Sequence, residues 1–309
     1  MNKLAKKCLL LLGIMSIVTV LAGSVGFLVN RANSDSVKGK LKIVTSFYPM
    51  YIATMNVVGD VEGVELTNLT KNQGGCLHEY QITTDDMKHM ENASVFVTNG
   101  AGMESFVEDI LTQYPHIKVI DSSDGCELLQ SLEEEDEVNS HLWMDPDNYM
   151  KQIANIAKGL GEADEEHKEQ YEANAKAYIE KIKKLKEDII GSGLTVDSGK
   201  QENVIIFHDA FAYMAKVLGW TTAYAVDIDN DTAMSAGDVA DIIEVIKEKN
   251  VTLLFAEKQF SDAIPKQIAG ETGAKVCIID SLVSGEMDKD AYIDGMHENI
   301  RAMQELLGE

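Results

Sequence analysis

The sequence predicts an α/β protein with two mainly parallel four-stranded lobes joined by one long helix. Three observations support this fold class. Short apolar runs alternate with helical patterns along most of the chain, as they do in β-α-β units. Four of these runs precede the long helix and four follow it. The chain has 309 residues, which is enough for two lobes of ordinary domain size.

The predicted strands are short apolar runs separated, in most cases, by helical segments. In the first lobe they cover residues 42–46, 64–69, 94–99 and 118–121. In the second lobe they cover residues 203–207, 222–226, 252–256 and 275–279. Because a helix lies between most consecutive strands, we expect the strands within each lobe to pair in parallel.

The connecting helix is the clearest single element in the sequence. Residues 164–190 contain neither Pro nor Gly, and the chain then reads Gly191-Ser192-Gly193, a typical helix end. Apolar residues recur every three to four positions, at Tyr171, Ala175, Tyr178, Ile182, Leu185 and Ile189. This pattern predicts one apolar stripe on a charged rod of roughly 40 Å, long enough to run along both lobes and restrict hinge motion.

The N-terminus has a different composition from the rest of the chain. Three lysines precede an uncharged run, residues 8–29, that is longer than an ordinary secretory h-region and long enough to span a bilayer. We expect residues 1–31 to be an uncleaved membrane anchor whose lysines stay cytoplasmic, which puts the remainder on the extracytoplasmic side. Cleavage as a signal near Ala22-Gly23-Ser24 is the alternative. The expected organisation continues with a linker at 32–40, the first lobe at 41–163, the connecting helix at 164–193 and the second lobe at 194–309.

The charge balance narrows the range of partners. The chain has 27 Lys and Arg against 51 Asp and Glu, a formal net charge of −24. Such a balance disfavours nucleic acid and anionic membrane surfaces, and it mildly favours cations.

Three of the seven histidines follow or precede elements in a way that suggests a ligand site. His78 comes after the second predicted strand and a glycine pair, and His208 directly follows the apolar strand VIIF. His141 precedes Asp145-Pro146, a typical helix start. Ligands of open α/β sheets bind outside the carboxyl ends of the strands, so His78 and His208 are well placed for one. The other four histidines are expected on the surface.

Acidic residues end two strands of the second lobe. Asp280 follows the strand KVCII, and Glu257 ends the strand LLFA. Asp280 is the fourth candidate beside the three histidines, with Glu257 placed in the same way. Three imidazoles and one carboxylate suit tetrahedral Zn²⁺. A metallohydrolase is disfavoured, because Ile82 stands where a second histidine of an HExxH motif would be and four protein ligands leave no position for a reactive water. We therefore expect no enzyme activity.

Eight stretches, spread over residues 41–285 and in one order, carry a family resemblance. They are KIVTSFYPMY, GGCLHEYQIT, NGAGMESFVEDIL, SHLWMDPDNY, FHDAFAYMAKVLGW, MSAGDVADIIEVIKEKN, FAEKQFSDAIPKQIAGETGAKV and IIDSL. In these stretches the chain resembles the solute-binding proteins of zinc- and manganese-specific ABC importers, in the group built on a rigid helical backbone.

The resemblance implies both a ligand set and a partner. The metal would be held by His78 and His141 from the first lobe and by His208 and Asp280 from the second, with Glu257 as support behind the ligands. The protein would be a monomer that delivers its ion to a membrane permease driven by a cytoplasmic ATPase. A surface adhesin of the same family is an alternative that would not exclude metal binding.

Zn²⁺ is the expected ion and Mn²⁺ the alternative. Imidazole nitrogen suits zinc, whereas manganese prefers oxygen ligands, and manganese-type sites of the family generally replace the third histidine with a carboxylate. The chain departs from the family in two places. Cys76-Leu77 replaces the usual Asp-Pro before the first histidine, and the stretch SLEEEDEVNS is acidic where many zinc-specific members have a histidine-rich loop. The acidic residues 133–137 are expected to be solvated.

The cysteines give one further expectation. Cys76 and Cys126 both follow predicted strands of the first lobe, and free thiols outside the membrane tend to be oxidised, which predicts a disulfide between them. A thiolate ligand at Cys76 is the rival interpretation. Cys277 lies within a strand and is expected to be a buried, reduced core residue.

Overall fold

The structure, a computed structural model, describes residues 40–70, 77, 80–132, 137–199, 202–226 and 234–308. The first lobe contains β1 (Leu41–Thr45), α1 (Tyr48–Val58), β2 (Val64–Asn68), α2 (Thr84–Glu91), β3 (Val95–Thr98), α3 (Val107–Gln113), β4 (Lys118–Asp121), β5 (Leu129–Gln130) and β6 (Val138–Asn139). Two long helices follow, α4 (Pro146–Ala163) and α5 (Lys168–Ile190). The second lobe contains β7 (Asn203–Ile206), α6 (Phe211–Leu218), β8 (Thr221–Ala225), α7 (Ala236–Lys249), β9 (Leu253–Glu257), α8 (Ala263–Thr272), β10 (Lys275–Ile279) and α9 (Ala291–Leu307).

The predicted fold class is confirmed. All eight predicted strands are present, each within one residue of its predicted ends. They form two four-stranded sheets, in the orders β2-β1-β3-β4 and β10-β9-β7-β8, and every pairing within them is parallel. The short antiparallel pair β5–β6 was not predicted.

Both sheets have the same strand order when each is counted from its own first strand. In each lobe the second strand lies on one side of the first strand, and the third and fourth lie on the other side. The first crossover in each sheet therefore leads to one side of the starting strand, and the later crossovers lead to the other side. This change of side falls between β1 and β3 in the first lobe and between β7 and β9 in the second. Ligands of open α/β sheets bind at this point, outside the carboxyl ends of the strands.

The connecting helix has the predicted stripe but a shorter regular part. A 3₁₀ turn at Glu165–His167 precedes α5, whose 23 residues span about 35 Å. Its buried residues are the six that the periodicity predicts: Tyr171, Ala175, Tyr178, Ile182, Leu185 and Ile189. This stripe packs in a hydrophobic core that also contains residues of both lobes, and residues 41–309 form one compact unit.

Aromatic residues join the elements around the centre of the molecule. Tyr149 in α4 stacks on Tyr292 in α9 with ring centroids 3.9 Å apart, and the Tyr292 hydroxyl donates to the carbonyl oxygen of Trp143 at 2.7 Å. From the other side, the hydroxyl of Tyr48 in α1 donates to the carbonyl oxygen of Glu286 at 2.6 Å. These bonds attach the chain segments of the second lobe to the helices of the first.

The predicted Cys76–Cys126 disulfide is not present. Cys126 carries a free, half-buried thiol, whose Sγ lies 3.8 Å from the carbonyl oxygen of Asn148 and 4.0 Å from that of Ser122. The thiol therefore faces the start of α4 and the chain after β4, where it donates to backbone oxygen. Cys76 lies outside the described residues. Cys277 is buried and free, as predicted.

Several predictions concern residues outside the described part. These residues are the proposed anchor, the linker except for Lys40, residues 133–136 of the acidic loop, and His78. Within the described part, no helix combines the length and the apolar character needed to cross a membrane.

Candidate metal centre

His141 is buried at the start of the segment that leads into α4. It lies two residues beyond β6 and directly precedes a short 3₁₀ turn, Leu142–Met144. The side-chain oxygen of Asn139 accepts from both the backbone N–H of His141, at 3.0 Å, and the ring Nδ1, at 2.9 Å. Because an amide oxygen can only accept, we assign the ring proton to Nδ1, which gives Nε2 the lone pair.

His208 is equally buried, two residues beyond β7 in the second lobe. Its Nδ1 lies 3.0 Å from Oε2 of Glu257, the last residue of the neighbouring strand β9. The other oxygen of that carboxylate accepts from the backbone N–H of Ser281 at 3.3 Å. Such a contact fixes the imidazole, because an ionised carboxylate accepts the Nδ1 proton and leaves Nε2 as the basic nitrogen.

The two imidazoles come together from opposite lobes. Their ring centroids are 4.8 Å apart and their planes are inclined by 82°. His141 also packs against Trp143, with centroids 5.3 Å apart, and the indole N–H of Trp143 donates to the carbonyl oxygen of Ser281 at 2.7 Å. Ser281 is thus bonded to Glu257 behind His208 and to Trp143 beside His141, which ties the end of β10 to both histidines.

Asp280, the residue before Ser281, is held by a different set of groups. Its Oδ1 accepts from the side-chain amide of Gln259 and from the backbone N–H of Leu282, both at 2.8 Å. Its Oδ2 pairs with the ammonium group of Lys258 at 3.1 Å, and the Asp280 side chain is 14% exposed. The carboxylate is therefore oriented by three donors of its own lobe.

The described residues assemble part of the predicted ligand set. The structure brings His141 and His208 together and places Asp280 next to the Ser281 link, whereas His78 lies outside the described part. Over the described ranges, no group of three or more His, Cys, Asp or Glu side chains is close enough to hold a metal ion. The other histidines lie at the surface as expected, among them His167, which pairs with Asp164, and His297, which pairs with Asp188.

Two buried groups of the first lobe have raised pKa values. Burial and then the negative charge of Asp280 raise the pKa of Tyr48, at the start of α1, to about 12. At the carboxyl end of β3, burial raises the pKa of Glu104 to about 7, although its carboxylate accepts from the backbone N–H groups of Asn99 and Gly100. Both strand ends where the sheets change direction thus carry a buried carboxyl group, Glu104 in the first lobe and Glu257 in the second.

Sequence reasoning missed three groups that touch candidate ligands. Asn139 contacts His141, and Lys258 and Gln259 contact Asp280. The Asn139 contact had a signal in the sequence, because a short polar side chain two residues before a histidine can bond to its backbone N–H, as in an Asx turn. The contacts of Asp280 had none, because they join the loops after two different strands.

The fold and the buried imidazole pair define a class of protein: a two-lobed α/β binding protein built on a helical backbone, with its candidate site between the lobes. The chain belongs to the family described as "Zinc-uptake complex component A periplasmic", whose family model matches residues 43–306. It is 30% identical over 296 residues to the high-affinity zinc uptake system protein ZnuA of Bacillus subtilis, covering 90% of this chain and 91% of that protein.

The chain is also similar to a second zinc-binding protein and to a solved structure of a metal complex. The chain is 30% identical over 297 residues to the zinc-binding lipoprotein AdcA of Streptococcus pneumoniae, covering 90% of this chain but only 58% of that longer protein. Among solved structures, it is similar to the SBP FpvC of Pseudomonas aeruginosa in complex with Mn²⁺, with a TM-score of 0.76 and 25% identity over 86% of this chain and 99% of that one.

Proposed function

We propose that this chain is the extracytoplasmic metal receptor of an ABC importer, which captures a divalent transition-metal ion, zinc, between its lobes and delivers it to a membrane permease. The observation that carries the proposal is the pair of buried imidazoles, His141 and His208, supplied by different lobes. Each has its Nδ1 bonded to an acceptor, so each presents Nε2 as the metal-binding nitrogen. One ion bound by both would join the lobes.

The rest of the ligand shell consists of His78 and Asp280 in this proposal. Three neutral nitrogens and one anionic oxygen satisfy tetrahedral zinc. For Asp280 to take part, its Oδ2 has to coordinate the ion in addition to, or in place of, the ammonium group of Lys258. Gln259 and Leu282 would continue to hold Oδ1 and so keep the carboxylate oriented.

The donor set supports transport of the ion over catalysis. The family is one of metal-binding solute-binding proteins, not a class of enzymes. Four protein ligands fill a tetrahedral shell, and a catalytic zinc site needs an open position for water or substrate. The ion is therefore cargo, and the protein's task is to bind and release it.

The extracytoplasmic side is the place where such a receptor has to work. The family description and the name of the Streptococcus pneumoniae relative, a lipoprotein, support this location. We further propose that residues 1–31 tether the chain to the membrane, because the uncharged run at 8–29 follows a lysine-rich start. The receptor would then act as a monomer close to its permease.

A zinc titration of chelator-treated protein tests the proposal. The wild type should bind one zinc ion, and His141→Ala and His208→Ala should each weaken binding strongly while the melting temperature of the metal-free protein stays within a few degrees. His89→Ala, a surface change, is the control and should bind as the wild type does. Wild-type affinity in either buried-histidine variant would remove that residue from the site.

Competition between ions tests the choice of metal. Zinc should predominate over manganese at equal free concentrations, because imidazole nitrogen suits zinc and the order of divalent affinities points the same way. The manganese complex of FpvC, a similar structure, makes manganese the ion to compare. Predominant manganese occupancy would overturn the zinc assignment but would leave a metal receptor.

A further inference from the structure

Asn139 occupies a position that connects the two histidines. It is the last residue of β6 and is 2% exposed. Its side-chain oxygen contacts His141 in the first lobe, and its side-chain nitrogen donates to the carbonyl oxygen of Asp209 at 2.8 Å. Asp209 is the residue after His208, so one amide group touches the chain at both imidazoles.

The orientation of this amide follows from its backbone partners. The N–H of His141 can only donate, so the atom 3.0 Å from it has to be the oxygen of Asn139. The carbonyl oxygen of Asp209 can only accept, so the atom facing it has to be the nitrogen. Because the same oxygen also faces Nδ1 of His141, the proton of that ring lies on Nδ1.

A second set of bonds attaches the β5–β6 pair to the start of α6. The hydroxyl of Tyr213 donates to the backbone oxygen of Asn139 at 2.8 Å and accepts from the backbone N–H of Leu129 at 3.1 Å. The hydroxyl of Ser131 donates to Oδ2 of Asp209 at 3.0 Å. The strand pair, although it belongs to the first lobe by sequence, is thus bonded to the segment of the second lobe that carries His208.

We propose that Asn139 is a positioning residue for metal capture: it holds the His141 ring in the Nδ1-protonated tautomer and ties that ring to the peptide next to His208. The inference rests on the proposed function, in which both histidines bind the ion, and it adds the group that sets their relative geometry. A ring bonded at Nδ1 neither rotates nor exchanges tautomers freely, so Nε2 of His141 is presented to the ion before the ion arrives.

Three variants separate the two tasks of the amide. Asn139→Leu has a similar volume and removes both side-chain bonds. Asn139→Asp keeps an acceptor for His141 but places a carboxylate oxygen against the carbonyl of Asp209. Tyr213→Phe removes the hydroxyl that attaches the strand pair and leaves the Asn139 side chain intact, so it is the matched control for a merely structural effect.

The first measurement uses the full chain without metal. Two-dimensional ¹⁵N NMR of histidine rings reports the tautomer, and His141→Ala identifies the signals of His141. The wild type, Asn139→Asp and Tyr213→Phe should all have Nδ1-protonated His141, whereas Asn139→Leu should have a mixture of tautomers. An unchanged Nδ1 tautomer in Asn139→Leu would overturn the proposal, and so would a mixture in the wild type.

The second measurement is zinc affinity by competition with a chelator. Asn139→Leu should bind about 10- to 100-fold more weakly than the wild type, as is common when a partner of a metal-ligating histidine is removed. Asn139→Asp should recover part of this loss through its acceptor, and Tyr213→Phe should stay within about threefold of the wild type. Equal losses in Tyr213→Phe and Asn139→Leu would overturn the proposal. The attachment of the β5–β6 pair to α6 would then explain both losses without any role for the Asn139 side chain.

The two measurements also separate this inference from the proposed function. A wild type that binds no zinc would refute the function, whereas the tautomer of His141 in the metal-free chain would still decide whether Asn139 positions the ring. If Asn139→Leu does not fold, the comparison of Asn139→Asp with Tyr213→Phe decides: a weaker affinity in Asn139→Asp supports the cross-lobe tie, and wild-type affinity in both contradicts it.

Discussion

Nδ1 of His208 lies 3.0 Å from Oε2 of Glu257, and both side chains are almost completely shielded from solvent. The contact joins the ends of two adjacent parallel strands, β7 and β9, at the point where the crossovers of the second sheet change direction. A buried carboxylate behind an imidazole fixes the ring and raises the basicity of its far nitrogen. Glu257 can therefore influence metal affinity without contacting the ion.

Glu257→Gln tests that influence. The amide keeps an acceptor for the imidazole but removes the negative charge, so zinc affinity should fall by about tenfold. Chelator competition near pH 7.5 measures the change. Glu271→Gln, on the same lobe and exposed, should bind as the wild type does. Unchanged affinity in Glu257→Gln would mean that the carboxylate charge has no part in binding.

Lys258→Met should strengthen zinc binding. The ammonium group of Lys258 pairs with Oδ2 of Asp280. With Asp280 as a ligand, as proposed, this ammonium group would compete with and repel an incoming cation. Because the Lys258 side chain is more than half exposed, the expected gain is small, about two- to fivefold in affinity. The same titration in low salt measures it.

Lys266→Met is the matched control for Lys258→Met. Lys266 lies in the same lobe, is similarly exposed and pairs with Asp262, which is not a proposed ligand. Removing its charge should leave the affinity unchanged. A weaker affinity in Lys258→Met would indicate that the lysine helps to hold Asp280 in its binding orientation.

Glu104 should make the stability of the first lobe depend on pH. Burial raises its pKa in the folded state from 4.5 to about 7, so between these values the folded chain binds more protons than the unfolded chain. The contribution of Glu104 is complete below about pH 4.5 and is lost as the pH rises through about 7. At 1.36 kcal/mol per pH unit, the full change is about 3 kcal/mol.

Denaturant unfolding of the wild type and Glu104→Gln between pH 4.5 and 8 measures this effect. Glutamine has no proton to lose, so the free energy of unfolding of the wild type, relative to the variant, should fall as the pH rises. The contributions of other titrating groups to the free energy of unfolding are the same in both proteins, so they cancel in the difference. A flat difference across this range would contradict the raised pKa of Glu104.

Cys126 should remain a slowly reacting thiol in the purified protein. Burial raises its pKa to about 11, so only about one thiol in a thousand is ionised at pH 8. Peptide mapping without reductant should find Cys126 alkylated after denaturation and hardly modified before it. A Cys76–Cys126 disulfide in the map would contradict the free thiol in the structure and restore the sequence-based prediction.

The sequence by itself determined the strands of the two four-stranded sheets and the buried face of the connecting helix. The eight sheet strands and the six buried residues of α5 follow from period and composition over a few neighbouring residues, so they could be predicted to within one residue or so at the strand ends. The ends of the strands, and hence the place to look for His208 and Asp280, follow from the same local pattern. The family resemblance added the expectation that His141 meets His208.

Only the tertiary structure decided what each of these side chains touches. Asn139 bonds to Asp209, Lys258 to Asp280, and Cys126 to the backbone of Asn148, and each contact joins segments that are 22 or more residues apart. Such contacts leave no periodic signal, because they depend on how two lobes pack and not on which element a residue forms. The residue types of the candidate site could be predicted from the sequence. The orientation of these side chains and the groups that hold them depend on tertiary packing.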